Sequence, residues 1–153
     1  MRKSFRVLVL LGVAVSLSTI SAINAQQNKA ADHASNASDQ EVPPYHKSAK
    51  DAQPLPQTLS PSQFSNPVVA EAYEIASEIP LVLAQQPCYC HCNREFGHTS
   101  LLDCFTSTHT AGCGICMGET FFAYQMTKQG KAPAEIREGI IRGDWKHAGP
   151  VEK

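Results

Sequence analysis

Between Asn66 and Ile79 apolar side chains return at three- and four-residue spacing. Val69, Ala72, Tyr73, Ala76 and Ile79 form one stripe, and Glu71, Glu74, Ser77 and Glu78 lie opposite, the pattern of an amphipathic helix. Asn66-Pro67 offers a cap and a first-turn proline. Pro80 is expected to end or kink this helix, with Leu81 to Ala84 adding a further turn before Pro87. A second helix is predicted over Gly118 to Gln129, burying Phe121, Phe122, Tyr124 and Met126 and closing near Gly130. A third runs from Pro133 to about Arg142, with Ile136, Ile140 and Ile141 inward and Gly143 as its stop. No stretch alternates as a strand does, and nothing repeats. The expectation is therefore a mainly α fold, a small helical Cys-rich domain over residues 66–147 with a short tail at 148–153.

Upstream the pattern fades. From Gln26 to Ser65 the chain is Gln, Asn, Ser, Ala, Asp and Pro with few large apolar residues. Such a segment cannot bury enough surface to offset the entropy of ordering it, so residues 26–65 are expected to be a disordered linker. Its histidines, His33 and His46, read as solvated. Asn36-Ala37-Ser38 matches the glycosylation acceptor pattern, which is common by chance.

The stretch from Met1 to Ala25 reads as a secretory signal, with Arg2, Lys3 and Arg6 ahead of an apolar run from Val7 to Leu17 and a peptidase site at Ile23-Asn24-Ala25. An uncleaved anchor would need Val7 to Ile23 to span a bilayer, and that stretch is at the short limit for doing so. Ser16, Ser18, Thr19 and Ser21 dilute it, so cleavage is the expectation, and with it export to the periplasm or cell surface. Membrane attachment follows only if the segment stays uncleaved. No cysteine precedes Cys88, which excludes a lipid carried on a cysteine at the cleavage site.

The chain has 13 basic and 14 acidic residues. Loss of Arg2, Lys3 and Arg6 leaves 10 basic against 14 acidic, a net charge of about -4. Nucleic acid is thereby excluded as the main partner, since it calls for a basic patch or stripe.

The chemistry is concentrated in six closely spaced cysteines, Cys88, Cys90, Cys92, Cys104, Cys113 and Cys116, which follow the order C-x-C-x-C, eleven residues, C, eight residues, C-x-x-C. Three readings stand. An exported chain with an even cysteine count defaults to disulfides. Three cysteines at alternate positions, however, would each need a distant partner at a Cα separation of about 4.4–6.8 Å. The second reading is ligation. In an extended segment Cys88, Cys90 and Cys92 share one face, and a modest bend aims their thiolates at one centre. C-x-x-C adds two more from a turn entering a helix, whose N-terminus is expected to make Cys113 and Cys116 easier to deprotonate. Soft thiolates with imidazole favour Cu(I) or Zn(II). Six thiolates exceed one tetrahedral site, so either two ions bind or some cysteines pair while the rest ligate. The third reading is thiol–disulfide redox at the C-x-x-C, for which the βαβ context of thioredoxin is missing.

His98, after Gly97, and His109, four residues before Cys113, are in reach as ligands or as supporting groups. His91 should point away from its neighbours' sulfurs. Asp103 either orients a histidine or caps a turn. No carboxylate pair, serine elbow or phosphate-cradling loop is present, so no catalytic residue is assigned.

Pro-Cys-Tyr-Cys-His-Cys, Gly-His, Asp-Cys-Phe and His-x-x-x-Cys-Gly-x-Cys, in this order, resemble the bacterial PCYCGC-motif (CYCXC) family. The likeness covers about Val69 to Arg142, including Ala72-Tyr73, Ile79-Pro80 and Glu135-Ile136-Arg137. The resemblance implies an exported or lipid-anchored protein without an established activity, and some members are selenoproteins with selenium in the cysteine motif. Two departures stand out: position 91 is His where the motif usually has Gly, and the lipid-carrying cysteine of many members is absent. The function expected is an exported thiolate-rich protein that binds a soft metal ion through Cys88, Cys90, Cys92, Cys113 and Cys116, with Cys104, His98 and His109 as further members. An envelope metal-handling protein is its expected partner.

Overall fold

The computed structural model describes residues 41–151. The signal stretch, the alternative anchor, His33 and the Asn36 acceptor pattern lie outside the described residues. Among the described residues no helix is long and apolar enough to cross a membrane, and no strand forms.

Among the described residues, five α-helices and four short 3-10 segments make the domain. Helix α1 (Pro67–Glu78) starts where expected, because the Asn66 side-chain oxygen accepts the Val68 and Val69 amides at 2.9 and 3.4 Å and Pro67 takes the first turn. It buries Val69, Ala72, Tyr73, Ile75 and Ala76. Pro80 stops it, and α2 (Pro80–Leu83) is the further turn. Helix α3 (Asn93–Phe96) closes on Gly97 in the left-handed region.

The central element is α4 (Gly114–Lys128). It begins four residues before the expected Gly118, so Cys116 belongs to it. It packs on α1, on α5 (Pro133–Arg142) and on the 3-10 segment Asp144–His147. Enclosure on several sides explains why Cys116, Gly118, Glu119, Thr120, Phe121, Phe122, Ala123 and Tyr124 are all buried, a run no single amphipathic stripe would give. Helix α5 has its first turn closed by the Glu135 carboxylate, which accepts the Ala132 amide at 3.0 Å, and its end turned by Gly143 at φ +84°. Ile136 and Ile140 face inward and are buried with Gly139, whereas Ile141, expected inward, is only half-buried.

The core continues through the loops. Leu101, Leu102, Cys104 and Phe105, on and beside the 3-10 segment Leu102–Phe105, are fully buried. Tyr73 joins this region to α1. Its hydroxyl donates to the Ser107 carbonyl at 2.6 Å, and its ring meets Phe105 edge-on at 5.1 Å.

Order starts well before Asn66. The compact unit begins at Val42, so residues 42–65 are not a linker. The reason is a small number of well-placed anchors. The His46 amide donates to the Ala84 carbonyl, Ala52 is buried, and the Leu59 amide donates to the Phe105 carbonyl at 2.9 Å. Phe64 stacks on Tyr73 with ring centroids 4.1 Å apart. Tyr45 lies under the Arg137 guanidinium at 4.5 Å. The expected tail is also tied down: the Val151 amide donates to Glu71 at 2.8 Å, and Ala148 and Val151 pack on the core.

Replacing half-buried Phe64 by Ala is expected to cost about 1–3 kcal/mol, less than the 3–5 of a fully enclosed phenylalanine. Leu101→Ala, at a site with no exposure, should cost about 2–5 kcal/mol. Urea unfolding measures both. No loss in Phe64→Ala would show that residues 42–65 do not belong to the cooperative unit.

Candidate metal centre

Three short stretches deliver the six sulfurs. The segment from Cys88 to Cys92 is a tight turn and not the extended run expected: the His91 amide donates to the Cys88 carbonyl at 3.3 Å, and His91 itself sits at φ +57°. The turn does what the expected bend was to do, gathering Cys88, Cys90 and Cys92, but it requires the left-handed region at residue 91. Glycine enters that region without steric cost and other residues do not, which gives a physical reason for the motif's usual Gly there. Cys104 comes from the buried 3-10 segment. Cys113 caps α4 in extended geometry, and Cys116 lies in that helix's first turn.

All six cysteines are free thiols. Sγ of Cys88 is 3.3 Å from that of Cys90 and 3.5 Å from that of Cys116, which is also 3.5 Å from Cys90. Cys92 and Cys104 stand 3.2 Å apart. Ring nitrogens close the cluster: His98 Nδ1 is 3.0 Å from Cys92 Sγ and 3.3 Å from Cys104 Sγ, and His109 Nε2 is 3.7 Å from Cys90 Sγ. Two four-donor groups result, Cys88, Cys90, Cys92 and Cys104, and Cys90, His109, Cys113 and Cys116, the donors of each group lying within 4.8 Å of one another. Sulfurs bound tetrahedrally at about 2.3 Å stand about 3.8 Å apart, so a slight opening of either group makes room for an ion. The cluster could hold a metal ion.

His91 falls outside both groups and meets Tyr89 edge-on at 6.1 Å. Asp103 caps its turn, accepting from the Thr99 amide at 2.6 Å, the Thr99 hydroxyl at 2.8 Å and the Ser100 amide at 3.2 Å.

Electrostatics correct one expectation. Two thiolates 3.5 Å apart repel by about 5 kcal/mol at an effective dielectric of about 20, whereas a helix N-terminus offers about 0.3–1 kcal/mol. Without a cation the cluster therefore keeps protons, and Cys113 and Cys116 are not the acidic pair. Hydrogen bonding with Cys104, then Cys113, drives Cys116 up. Cys116 pulls Cys113 down, but Cys90 and burial outweigh it and leave Cys113 raised. Cys88 and Cys92 are also raised, in each case first by hydrogen bonding with Cys104. Cys104 is held down to about 4 chiefly by hydrogen bonds from Cys116 and Cys88, against Cys90, which raises it, and Cys90 is lowered most by hydrogen bonding with Cys104.

Two features of the site were not found from sequence. Glu119 is fully buried on α4, and its Oε1 accepts the Tyr89 amide at 2.8 Å, pinning the cysteine turn to the helix. Burial pushes its carboxyl up to about 8, against the Tyr89 amide and Cys88, which act downward. Its position three residues after Cys116, on the same helical face, was the available signal. The second feature is a cover: Pro43 and Pro44 close over Cys88, Cys92, Asn93, His98 and Ser100. Nothing in the composition of that proline segment points to the cysteines.

The family described as proteins of unknown function with a PCYCGC motif matches residues 8–149. No curated protein and no solved structure matches the chain.

His91→Gly is expected to preserve the cluster and to raise stability by up to about 1 kcal/mol, because relief of the left-handed cost of about 1–2 kcal/mol exceeds the extra glycine entropy. His91→Val should lose stability. Thermal unfolding ranks the three proteins, and equal stability of the Gly and Val variants would refute the turn geometry.

Glu119 ionises near 4.5 in an unfolded chain but holds its proton to about 8 in the fold. Between those pH values the folded state binds the extra proton, so this residue's contribution to stability falls as pH rises. In metal-free reduced protein, the stability of the wild type relative to Glu119→Gln should decline from pH 5 to 8 by on the order of a few kcal/mol. Cys104 gives the opposite slope in both proteins and cancels. A difference that is flat with pH would disprove the assignment.

Proposed function

The chain belongs to the family of proteins of unknown function with a PCYCGC motif, and from that premise we propose that it is an exported protein that binds a soft metal ion, Cu(I) or Zn(II), for sequestration or delivery outside the cytoplasm. One observation carries the reading: six unpaired sulfurs and the His109 imidazole converge in two overlapping four-donor groups. Thiolate and imidazole donors select soft or borderline ions. Full ionisation of the crowded sulfurs also needs a cation, since without one they keep protons.

Export rests on the signal-like pattern from Met1 to Ala25. Outside the cytoplasm free thiols oxidise unless they are occupied, and a bound ion protects them. The partner in delivery is an envelope metal-handling protein with its own soft ligands. Cys88, Cys90, Cys92, Cys104, Cys113 and Cys116 are the proposed ligands with His109. His98, hydrogen-bonded between Cys92 and Cys104, orients those two sulfurs. The protein is a binder in this reading, not a catalyst.

Protein isolated anaerobically from its own compartment should carry stoichiometric copper or zinc by elemental analysis. Loading at pH 7 should release protons, and binding should weaken on acidification, because four of the sulfurs are raised thiols that must give up protons to ligate. Cys113→Ser should lower the stoichiometry or the affinity. All six sulfurs in disulfides with no metal would sink the proposal. Metal-independent dithiol turnover abolished by Cys113→Ser would replace it with a redox function.

A further inference from the structure

The two four-donor groups share one residue, Cys90. Two tetrahedral ions require eight metal–ligand bonds, and the groups together contain seven donor residues, so one donor must serve both. The cluster supplies that donor at its centre: Cys90 Sγ lies 3.3 Å from Cys88 Sγ in its first group, and 3.5 Å from Cys116 Sγ and 3.7 Å from His109 Nε2 in its second. A thiolate has lone pairs to bridge two ions, and an imidazole, with one nitrogen facing the cluster, does not.

The two groups are unequally enclosed. In the first, Cys88, Cys92 and Cys104 are buried, and Pro43 and Pro44 line a small pocket with Cys88 and Cys92. In the second only Cys116 is buried, while Cys90, His109 and Cys113 are half-exposed. Gly112 and Gly114, which flank Cys113, carry no side chain and are exposed, and Cys113 is itself half-exposed, so an acceptor approaches the centre from this edge. Phe96, 59% exposed, rests on His109 with ring centroids 5.1 Å apart, and marks an apolar contact point at the same edge.

We propose that the centre is dinuclear and asymmetric: Cys90 bridges a retained ion held by Cys88, Cys92 and Cys104 and an exchangeable ion held by His109, Cys113 and Cys116. The inference rests on the metal-binding reading of the cluster. It commits to divalent ions of the zinc type, because four-coordinate sites with an imidazole suit Zn(II), and two divalent cations offset more of the six thiolate charges than two Cu(I) ions would. Delivery then takes place by ligand substitution. A thiolate of the acceptor binds the outer ion as Cys113 leaves it, with no change in oxidation state, and Cys113 and Cys116 take up protons once the ion has gone. The inner ion stays and keeps the cysteine turn folded.

The full chain, reduced and reconstituted anaerobically with Zn(II), should carry two ions in native mass spectrometry. Excess chelator should remove them in two steps of equal size, the second slower by about tenfold or more, as expected when supporting contacts differ. With cadmium-113 as probe, two resonances should appear and be scalar-coupled through the Cys90 sulfur. Cys90→Ala should abolish the coupling. If that variant does not fold, His109→Gln should retain both ions and their coupling, shift one resonance only, and speed release of the first ion. One ion per chain, two uncoupled resonances, or two ions lost in a single step would overturn the dinuclear proposal and leave metal binding intact. No ion at all would overturn both.

Discussion

Sulfur–sulfur repulsion is the constraint around which the rest of this domain is arranged. Sγ atoms of Cys88, Cys90, Cys92, Cys104 and Cys116 approach to 3.2–3.5 Å, where each pair of thiolates would cost about 5 kcal/mol. Protons or cations must therefore enter with them. As thiols they hydrogen-bond among themselves, which lowers Cys90 and Cys104 and raises the other four. As ligands they would all ionise, and the cation would become part of the fold.

The scaffold holds the sulfurs from three directions, so that none of them carries the cost of ordering its own segment. The Cys88–Cys92 turn is fixed by the Tyr89 amide on buried Glu119. Cys104 stands between Leu102 and Phe105 in a segment whose carbonyls take the Thr110 hydroxyl at 2.8 Å and the Leu59 amide at 2.9 Å. Cys113 and Cys116 ride on the start of α4, the helix that the other helices surround. A core of this size, resting on Tyr73, Phe105, Leu101 and Ile140, is small enough that a bound ion would add materially to stability. Metal affinity and folding are then linked, and acid that protonates the sulfurs weakens both.

The cover over the site has a comparable logic. Pro43 and Pro44 have no amide N–H to leave unsatisfied, so they can lie against the cysteine turn without a hydrogen-bonding cost. They enclose one side of the cluster and leave Cys113 and His109 at the open side. Enclosure on one side and access on the other is what separates a site that keeps an ion from one that can pass it on.

Much of this was legible in the sequence because it is local. The Asn66-Pro67 cap, the stripe from Val69 to Ala76, the stop at Pro80 and the span from Pro133 to Gly143 depend on neighbours three or four residues apart, and a helix obeys that spacing wherever it is placed. The grouping of six cysteines with His98 and His109 was likewise visible, since few chemistries put so many soft donors between Cys88 and Cys116. Only the tertiary structure decided the remainder. Residues 42–65 are ordered through single contacts to distant partners, Phe64 on Tyr73 and Leu59 on Phe105, which composition does not register. The turn at His91 replaced an extended run because three sulfurs had to meet in a space closed by α4. The thiol acidities followed hydrogen bonds between sulfurs as far apart in the chain as Cys88 and Cys116, not the helix start that carries two of them, because a hydrogen bond depends on separation in space and is blind to separation along the chain.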